Sequence, residues 1–516
     1  MHDVQMATAA AAVVGPATES AAEPVAVVAQ RTLSRPIGHA EVVAGLLLFA
    51  AVWLAHLSLT SLSAPVDNIE QLVWVRSLEW GYYKHPPLPT WLIWVPVQWF
   101  GVSAWASYGL GASVTLGSMW ILWSLLRKLR GPIHANVALL GMLCITYYNG
   151  RLCYYNHDIV LLLLTTASAA LCWQAFATRR LRWWFGLGCV LGLAALSKYQ
   201  VVVTMVPILA FALQQRAWRD PVHRQGLLLA VLLALLIFSP HVEWLRAHDF
   251  GPVHYALDSS LGTRLEPPLA WLRWLGDQLF NRSLPALIFL LAVGVSLRRT
   301  RRATPAAHSS TPPADDRRAR AFLLIWGTTP LLFTTLLGMA FGADLQLHWG
   351  TAFVPFVVPA VMELGVVASW NEANLGKALR VFLLVQALLL VLSHLTSPQG
   401  PAALRDHDWR AFDAGTLASN IIAGARTELG GPIQIVSSAG PEAGALALHI
   451  QERPRVLIGG PFDRSPWVSP GLVARCGILE LGSAQALPLG KPAGPAFPGL
   501  VWRVTKSQPG ADPCPR

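Results

Sequence analysis

Charged side chains are scarce in this sequence. Asp, Glu, Lys and Arg make up only 13% of its 516 residues, whereas hydrophobic residues make up 54% and there are 22 Trp. Soluble domains carry about 25% charged residues, so the composition excludes a soluble globule of this length. Apolar stretches of roughly 20 residues recur instead, the length that crosses a bilayer. Because lipid offers no partners to backbone N–H and C=O groups, these stretches are predicted to be helices.

Cysteine is also rare, with six residues in the chain. Four of them lie in or beside apolar runs without metal-binding spacing, and we interpret them as small buried residues: Cys144, Cys153, Cys172 and Cys189. Cys476 and Cys514 share the C-terminal part and are candidates for a disulfide. A basic N-terminal region is missing too, so the start of the chain does not resemble a cleaved signal peptide. Residues 1–40 are predicted to form a disordered cytoplasmic tail.

The formal net charge of +11 does not indicate a nucleic-acid partner. The basic residues stand in short clusters between apolar runs rather than on one continuous face, which is the pattern of topology signals in membrane proteins. Arg127, Lys128 and Arg130 follow one apolar run, and Arg179 and Arg180 follow a later one. If these clusters lie on the cytoplasmic side, the N-terminus is predicted to be cytoplasmic as well. The C-terminal domain is then predicted to lie on the other side of the membrane.

The apolar runs predict an all-α polytopic membrane protein of about 11 to 13 transmembrane helices. The spans are expected near residues 42–62, 104–126, 134–149, 158–177, 183–197, 200–213, 226–244, 284–297, 321–342, 349–369 and 378–396. Leu88–Phe100 is too short to cross and is interpreted as an interfacial or half-membrane helix, which keeps the basic clusters inside. Thr300–Asp316, rich in Pro, Ala and Ser, is predicted to be a flexible cytoplasmic loop.

Residues 41–396 are therefore assigned to the membrane domain and residues 397–516 to a small soluble α/β domain outside it. Two stretches of this second domain have helix-like patterns, Leu417–Leu429 and Pro441–Gln451. Each is followed by a strand-like stretch, Ile433–Ser437 and Val456–Gly459. The alternation of strand and helix is typical of an α/β domain.

The first loop outside the membrane holds the strongest polar cluster. Asp67 and Glu70 precede Lys84 and His85, and two prolines follow. Acidic and basic groups are thus expected to meet at the membrane interface. A structural alternative remains open, because Asp67 and Glu70, three residues apart, also fit a capping box at the start of a helix.

Two further candidate sites lie at the ends of apolar runs. Asn149–Asp158 is rich in Asn, Tyr and His, and Asp158 stands at the start of a span, where the helix dipole favours an acid. Simple capping is the structural alternative there. Lys198, followed by Tyr199, is a single cation between two long apolar runs. Such a cation has an anionic partner or a functional task, unless it reaches the interface by snorkelling.

Three more segments outside the membrane carry ionisable residues, and interfacial anchoring is the favoured interpretation for most of them. They are His241 and Glu243, then His254, Tyr255, Asp258, Arg264 and Glu266, then Asp344 and His348. Of these, His348 is kept as a candidate substrate-binding residue.

Four of these stretches stand in an order found in one enzyme superfamily: Asp67–Glu70, Tyr83–Leu88, Tyr155–Asp158 and Leu196–Tyr199. Over roughly residues 41–400, the chain resembles the bacterial C-type (GT-C) glycosyltransferases, the superfamily of protein O-mannosyltransferases and of the aminoarabinose and galacturonic acid transferases of lipid A. The resemblance implies a GT-C-like fold in the bacterial inner membrane, with the active site and C-terminal domain on the periplasmic side. The implied reaction moves a hexosyl or pentosyl group from a polyprenyl phosphate to an envelope lipid, glycan or protein. Membrane lipids are the other expected partners.

In that superfamily an acidic pair in the first loop outside the membrane lies at the active site. Asp67 matches its first member. Asn68 stands where the second acid usually follows, and Glu70 comes only three residues after Asp67. Asp158 and Lys198 match the family's later acid and lysine without change.

The chain departs from the lipid A transferases at a second place. Those enzymes often have Glu-Lys-Pro-Pro where this chain has Lys-His-Pro-Pro at Lys84–Pro87, so a carboxylate able to hold a metal ion is missing. His85 takes the place of the basic residue near the donor phosphate. Glu70, Tyr199 and His348 complete the expected substrate-binding set.

The expected mechanism follows from the chemistry of the donor. Nucleotide sugars are not available outside the inner membrane, so a transferase there needs an activated sugar carried by a lipid. The phosphate leaves as a stable anion, and Lys84, His85 and Lys198 are assigned to hold it. Asp67 is assigned as the base for the acceptor hydroxyl. Asp158 is assigned to orient the acceptor or the sugar, or to bind a divalent metal ion, the one cofactor left as an option.

Two competing functions stay open. A transporter or lipid flippase also has many spans with a few buried charges, but transporters usually bind their substrates near the bilayer midplane. Here the centres of the predicted spans are almost free of ionisable residues. A non-catalytic lipid-binding scaffold is the other alternative, and it would tolerate the combined loss of Asp67, Lys84 and Lys198.

Overall fold

The computed structural model describes residues 37–261, 269–301, 314–364, 370–406 and 409–515. Most of the predicted N-terminal tail and of the Thr300–Asp316 loop lies outside the described residues. The same holds for Arg264, Glu266 and the end of the span predicted at 349–369.

Helices dominate the described chain up to residue 396. In chain order they are α1 (His39–Thr60), α2 (Val66–Trp74), α3 (Leu88–Phe100), α4 (Ala104–Arg130), α5 (Pro132–Leu143), α6 (His157–Thr178), α7 (Leu181–Ser197), α8 (Val201–Gln214), α9 (Pro221–Ala247), α10 (Gly251–Leu261), α11 (Ala270–Gly276), α12 (Leu284–Arg301), α13 (Ala314–Phe341), α14 (Val357–Glu363) and α15 (Leu375–Leu395). Short helical turns of other types link some of them, at Thr146–Tyr148, Ala217–Arg219, Asp277–Arg282, Leu347–Gly350, Val354–Phe356 and Trp370–Glu372.

Six described helices are long and apolar enough to cross a membrane: α1, α4, α6, α9, α13 and α15. Ala270–Arg282 and Leu284–Leu297, bent by 51° to each other, pass the same criterion as one broken span. Four shorter apolar helices of 10–17 residues are Pro132–Leu143, Leu181–Ser197, Val201–Gln214 and Val354–Glu363. These make eleven apolar segments, so the predicted polytopic helical fold is confirmed. The 13 residues of α3 reach only about 20 Å at 1.5 Å per residue, in keeping with an interfacial helix.

Glycines let the helices that carry the site approach one another. A Cβ atom on Gly111 of α4 would lie 2.2 Å from the carbonyl oxygen of Tyr154, so only glycine allows α4 to touch the loop before α6. Gly188 and Gly192 of α7 face α9, where either Cβ would lie 2.7 Å from an atom of that helix. Small residues four apart are a common contact between membrane helices. This packing fixes α7, whose end leads directly to Lys198.

Beyond residue 396 the described chain contains a small α/β domain. Its strands are β1 (Ile435–Ser438), β2 (Arg455–Ile458), β3 (Ile478–Ser483), β4 (Lys491–Pro492) and β5 (Leu500–Thr505), and its helices are α16 (Ala414–Leu429), α17 (Glu442–Ala447) and α18 (Pro470–Cys476). The sheet order is β2-β1-β3-β5-β4, with β1 parallel to β2 and β3, and β5 antiparallel to β3 and β4. Cys476 and Cys514 form a disulfide. The predicted small C-terminal sheet domain is thus confirmed.

The C-terminal domain packs against the segment between α1 and α3. Its helix α17 lies on α2, and a Cβ atom at Gly444 would be 2.4 Å from Cγ2 of Ile69. Trp74, the last residue of α2, stacks on Tyr82 with their ring centroids 4.7 Å apart. Both rings belong to one buried apolar cluster with residues of the sheet and of α18. The domain therefore holds α2 and the loop after it against the membrane helices.

Candidate active site

A cavity of about 460 Å³, which we call the main cavity, lies where α2, the loop before α3 and the start of α6 meet α8 and α13. All eight site residues that the sequence predicts line it: Asp67, Glu70, Lys84, His85, Asp158, Lys198, Tyr199 and His348. The two segments that carry the acids therefore meet on one side of the helical assembly.

Glu70 and Lys84 form an ion pair in the main cavity. Because α2 begins at Val66 after Pro65, Glu70 lies in its second turn and points its carboxylate towards the loop before α3. Oε2 of Glu70 accepts a hydrogen bond from Nζ of Lys84 at 2.6 Å. The N-terminus of α2 has no side-chain cap, so the capping box considered for Asp67 and Glu70 is not formed.

The electrostatics of this pair keep Lys84 charged. Burial raises the pKa of Glu70, while the neighbouring Lys84 ammonium acts in the other direction. Burial also opposes the charge on Lys84, but the Glu70 carboxylate and Tyr83 outweigh it, so the pKa of Lys84 is raised above its usual range. The rings of Tyr83 and Tyr255 lie 5.3 Å and 5.6 Å from Nζ, within cation–π range. Since an ammonium group has three N–H donors, Lys84 retains donors for a ligand.

Asn68, which stands where the superfamily usually has its second acid, ties α2 to its neighbours. It is fully buried. Its amide donates to Oγ of Ser107 at 2.9 Å and to the carbonyl of Cys153 at 2.8 Å, and its Oδ1 accepts from the backbone N–H of Tyr155 at 2.9 Å. This set of bonds needs a side chain with both donors and an acceptor. An aspartate would face the Cys153 carbonyl without a proton to donate, so the departure from the family pattern has a structural reason.

Asp67 faces the N-terminus of α6. The N-cap of that helix is Asn156, whose Oδ1 accepts from the backbone N–H of Ile159 at 3.0 Å. Nδ2 of Asn156 donates to Oδ2 of Asp67 at 2.8 Å. Among the described residues Oδ1 of Asp67 has no hydrogen-bond partner, and Asp67 is one of the residues that line the cavity. Since Asn156 caps the helix, Asp158 does not perform the capping task left open for it.

Asp158 and Lys198 form a second ion pair. Oδ1 of Asp158 and Nζ of Lys198 are 2.6 Å apart, and the side chains are only 5% and 11% exposed. At the end of α7, Oγ of Ser197 donates to the carbonyl of His157 at 3.1 Å, which brings Lys198 beside the first turn of α6. Nε2 of His348 lies 3.7 Å from the other Asp158 oxygen. Lys198 is thus held by an acid at the cavity wall and does not snorkel.

His85 enters the cavity as a neutral ring. Its centroid lies 4.1 Å from that of His157. Burial, followed by the nearby His157 and Lys198, lowers the pKa of His85 well below its usual value. A neutral imidazole has one N–H donor and one acceptor, so His85 offers a ligand a hydrogen bond rather than the positive charge assigned to it from the sequence. Burial also lowers the pKa of His348, against the attraction of Asp158.

Several lining residues were assigned no role from the sequence: Asn156, His157, Gln200, Tyr255, Ser259, Gln346 and Trp349. Asn156 and His157 lie inside the recognised Tyr155–Asp158 stretch, so the signal for them was present. Tyr255 belongs to a segment for which interfacial anchoring was the favoured interpretation, and the other four residues are brought to the cavity by folding and carry no local signal. Among the weaker candidates, Glu243, His254 and Asp258 are exposed and do not line the cavity.

Part of the cavity wall is apolar. Val202 and Val203 of α8, Leu337 of α13 and Leu345 line it, and both helices are apolar segments able to lie in a membrane. The ion pairs lie at the ends of α6 and α7 and near α2. The main cavity is therefore amphipathic, with charged groups at one part of its wall and hydrocarbon at another, which suits a phosphate carried on a long apolar chain.

Within the described ranges, no three His, Cys, Asp or Glu side chains converge as a group able to hold a metal ion. Asp158, the residue considered for a divalent cation, is engaged with Lys198 instead.

A smaller cavity of about 60 Å³ adjoins the main one. Asp67, Asn156 and His348 line both cavities. Arg151 and Tyr154 belong to the rest of the smaller wall, and the guanidinium carbon of Arg151 lies 5.2 Å from the Tyr154 ring centroid. Asp67 thus stands at the border between two spaces.

Known proteins with similar sequences are sugar transferases. Residues 84–244 match the family described as dolichyl-phosphate-mannose-protein mannosyltransferase, a range that contains both lysines and Asp158. Lipid A galacturonosyltransferase RgtD of Rhizobium johnstonii (strain DSM 114642 / LMG 32736 / 3841) is 25% identical over 370 residues, 67% of this chain and 70% of the relative. Lipopolysaccharide core galacturonosyltransferase RgtB of the same strain is 25% identical over 353 residues, 64% of this chain and 66% of the relative.

Two solved structures of ArnT from Cupriavidus metallidurans share the fold. The structure bound to undecaprenyl phosphate has a TM-score of 0.61 at 15% identity, covering 89% of this chain and 98% of ArnT. The apo structure has a TM-score of 0.60 at 14% identity, covering 90% and 98%. Since this coverage takes in most of the chain, the likeness in fold includes the membrane helices and extends into the C-terminal domain.

Proposed function

We propose that this chain, which belongs to the GT-C glycosyltransferases, transfers a sugar from a polyprenyl phosphate donor to a lipid or glycan acceptor of the cell envelope. The relatives are named for transfer to lipid A and to the lipopolysaccharide core, and a protein of the same fold binds undecaprenyl phosphate. One observation carries the proposal for this chain: two lysine–acid pairs adjoin an apolar wall between membrane helices in a single cavity.

The donor fits the main cavity by its two chemical parts. Its isoprenoid chain lies along the apolar helices α8 and α13, so it stays in hydrocarbon-like surroundings while the phosphate reaches the lysines. Its phosphate lies between Lys84 and Lys198, each of which has an acid 2.6 Å away. The N–H donors that the carboxylates leave free bind the phosphate oxygens, and His85 adds a neutral hydrogen bond.

Transfer is a single displacement at the anomeric carbon of the sugar. The bond from this carbon to the phosphate oxygen breaks, and its electron pair stays with the phosphate, where Lys84 and Lys198 stabilise the charge. The acceptor oxygen forms the new bond while its proton passes to the free Oδ1 of Asp67. Asn156 orients Asp67 through the bond to Oδ2. Asp158 acts as a positioning residue, since it holds Lys198 and lies beside His348.

The chain is a multi-span membrane protein, and we place it in the bacterial inner membrane with its N-terminus in the cytoplasm. The site and the C-terminal domain then face the periplasm. The basic clusters support this orientation, because Arg179 and Arg180 follow the end of α6 opposite to Asp158. Since basic residues favour the cytoplasmic side, the cavity at the other end of α6 faces away from it.

A transporter or flippase is not favoured. The relatives are sugar transferases, and the ionisable groups of the site lie at helix ends rather than at the middle of spans. Asp158 lies in the first turn of α6, and Lys198 follows the last residue of α7. A non-catalytic lipid-binding scaffold gives no reason for Asp67 to line the same cavity as the two lysine–acid pairs.

The test is Asp67→Asn in purified protein supplied with radiolabelled polyprenyl phosphate sugar and envelope lipid. The amide keeps the shape and retains an oxygen to accept from Asn156, but it takes no proton. General-base catalysis contributes about 10²–10⁴-fold, so we expect the transfer rate to fall by that factor with unchanged accumulation in the membrane. Asp258→Asn is the matched control, since Asp258 is exposed and lies outside the cavity.

The results separate three functions. Near-normal transfer by Asp67→Asn would remove Asp67 from the base role. Uptake or flipping of the lipid without labelled product would favour a transporter. Normal function after the combined loss of Asp67, Lys84 and Lys198 would favour a scaffold.

A further inference from the structure

Arg151 lines the smaller cavity without an acidic partner. Among the described residues its guanidinium forms no ion pair, and its close neighbour is the ring of Tyr154. By contrast, Lys84 and Lys198 in the main cavity each have a carboxylate at 2.6 Å. A guanidinium group presents a planar set of N–H donors that matches the oxygens of phosphate and carboxylate groups. A guanidinium group without an ion-pair partner on a cavity wall therefore favours the binding of an anionic ligand.

The border between the cavities relates Arg151 to the reaction. Asp67, Asn156 and His348 line both spaces, so the base can be reached from either one. In a direct displacement the acceptor oxygen approaches the anomeric carbon from the side opposite the leaving phosphate. The main cavity holds both lysines and the apolar wall, which suit the donor. With the donor in the main cavity, the smaller cavity is the other space that Asp67 lines, and it is available to the acceptor.

We infer that the smaller cavity is an acceptor subsite in which Arg151 binds an anionic group, a phosphate or a carboxylate, of the lipid or glycan that receives the sugar. This inference rests on the proposed function, and it adds the chemical class of the acceptor. A cavity of about 60 Å³ is several times the roughly 10–15 Å³ that one water molecule needs. The subsite thus holds the reactive end of an acceptor and leaves the rest of it outside.

A purely structural role for Arg151 makes a different prediction. The two cavities together hold three carboxylates, on Asp67, Glu70 and Asp158, against the two lysine ammonium groups. The guanidinium could serve only to balance this charge. In that case its loss affects the reaction equally for charged and neutral acceptors, whereas a subsite makes the effect depend on the charge of the acceptor.

The experiment compares wild type, Arg151→Gln and Arg151→Lys in full-length purified protein with one radiolabelled polyprenyl phosphate sugar. The acceptors are lipid A with its phosphates, the same lipid A after phosphatase treatment, and a carboxylated core oligosaccharide. With the anionic acceptor that wild type prefers, we expect Arg151→Gln to raise the acceptor KM about 10-fold or more, the factor for about 1.4 kcal/mol of one charge-assisted contact. The donor KM and kcat stay within about twofold, and Arg151→Lys recovers part of the loss. Arg246→Gln is the control, because Arg246 is exposed and paired with Glu243.

The comparison of the three acceptors identifies which anionic group Arg151 binds. A loss seen with phosphorylated but not with phosphatase-treated lipid A assigns the subsite to a phosphate, and a loss confined to the core oligosaccharide assigns it to a carboxylate. An equal loss with charged and neutral acceptors, or a raised donor KM, would overturn the subsite while leaving the proposed transfer reaction intact. Wild-type protein that moves label to none of the three acceptors would contradict the proposed acceptor class itself, and the subsite with it.

Discussion

The contact between the C-terminal domain and α2 predicts that Gly444→Ala impairs catalysis from outside the cavity. The new Cβ atom would lie 2.4 Å from Cγ2 of Ile69 and 3.4 Å from Cγ2 of Val73. The first distance is far below the 3.5–4.0 Å or so at which carbon atoms attract each other. Ile69 is only 4% exposed and β-branched, so its methyl group has no free rotamer to adopt. Relief therefore requires a shift of α2, which carries Asp67 and Glu70 on either side of Ile69.

The size of the effect follows from this distance. Moving the two carbon atoms from 2.4 Å to normal contact needs a displacement of roughly 1 Å, and a misplacement of about 1 Å costs about 10²-fold in rate. Overpacking by one methyl group costs ~1–3 kcal/mol of stability. We therefore expect Gly444→Ala to lower kcat/KM about 10- to 100-fold, with a fall of several degrees in Tm.

Sugar transfer and Tm in detergent are measured together. Gly471→Ala, in the same domain, is the matched control, because a Cβ atom there has nothing within 4 Å. Ile69→Ala in the Gly444→Ala background removes the colliding methyl group and is expected to restore part of the activity. Wild-type kcat/KM together with wild-type Tm in Gly444→Ala would refute the conclusion that the C-terminal domain fixes the position of α2.

Three further predictions concern buried polar groups. Asn68→Asp sets a carboxylate against the carbonyl of Cys153, so we expect the free energy of unfolding to fall by about 1–3 kcal/mol and Tm to fall with it. An unchanged Tm would contradict the buried hydrogen bond. Lys198→Met leaves Asp158 buried without its cation, which costs ~3–5 kcal/mol. Adding Asp158→Asn should recover Tm but not transfer, and a double variant no more stable than Lys198→Met would argue against the pair. Since the pKa of His85 is lowered from 6.5, the unfolded chain binds its proton at higher pH than the folded one. The stability of the folded protein is then fully present above about pH 6.5 and falls as the pH drops below that value. His85→Gln should therefore flatten the curve of Tm against pH below about pH 6.5. A curve parallel to that of wild type would count against a neutral His85.

The location of the site could be predicted from the sequence because its charges interrupt or flank apolar runs. Asp158 precedes one such run and Lys198 separates two, so each is placed at a membrane surface by hydropathy alone. The pairing of charges is not a local property. Glu70 pairs with Lys84 across 14 residues, and Asp158 with Lys198 across 40 residues, and only the packing of α6 against α7 decides the second of these.

Other features could not be predicted because their signals are weak or nonlocal. The strands β3 to β5 belong to the C-terminal sheet, but β4 has two residues and shows no alternating pattern. Gly444 looks like any glycine until α17 is placed on α2. Asn156 and Asp158 both suit a helix N-terminus, and in the structure Asn156 is the N-cap and also contacts Asp67. The charge of His85 was expected from its residue type, whereas burial decides that the ring is neutral.

If the proposed donor binds here, the two lysine–acid pairs explain how the cavity can both bind a phosphate and release it. A sugar linked through a phosphodiester carries one negative charge, whereas the polyprenyl phosphate left after transfer carries about −1.5 to −2 at neutral pH. Two unpaired lysines in a half-apolar cavity would therefore hold the product more tightly than the donor. Glu70 and Asp158 compete with the phosphate for the same N–H groups at 2.6 Å, which weakens the hold on both ligands and most on the more highly charged one. The same carboxylates lower the desolvation cost of the lysines when the cavity has no ligand. In the proposed reaction the acids therefore act in both states of the site, as counter-ions when it is empty and as competitors of the product phosphate after transfer.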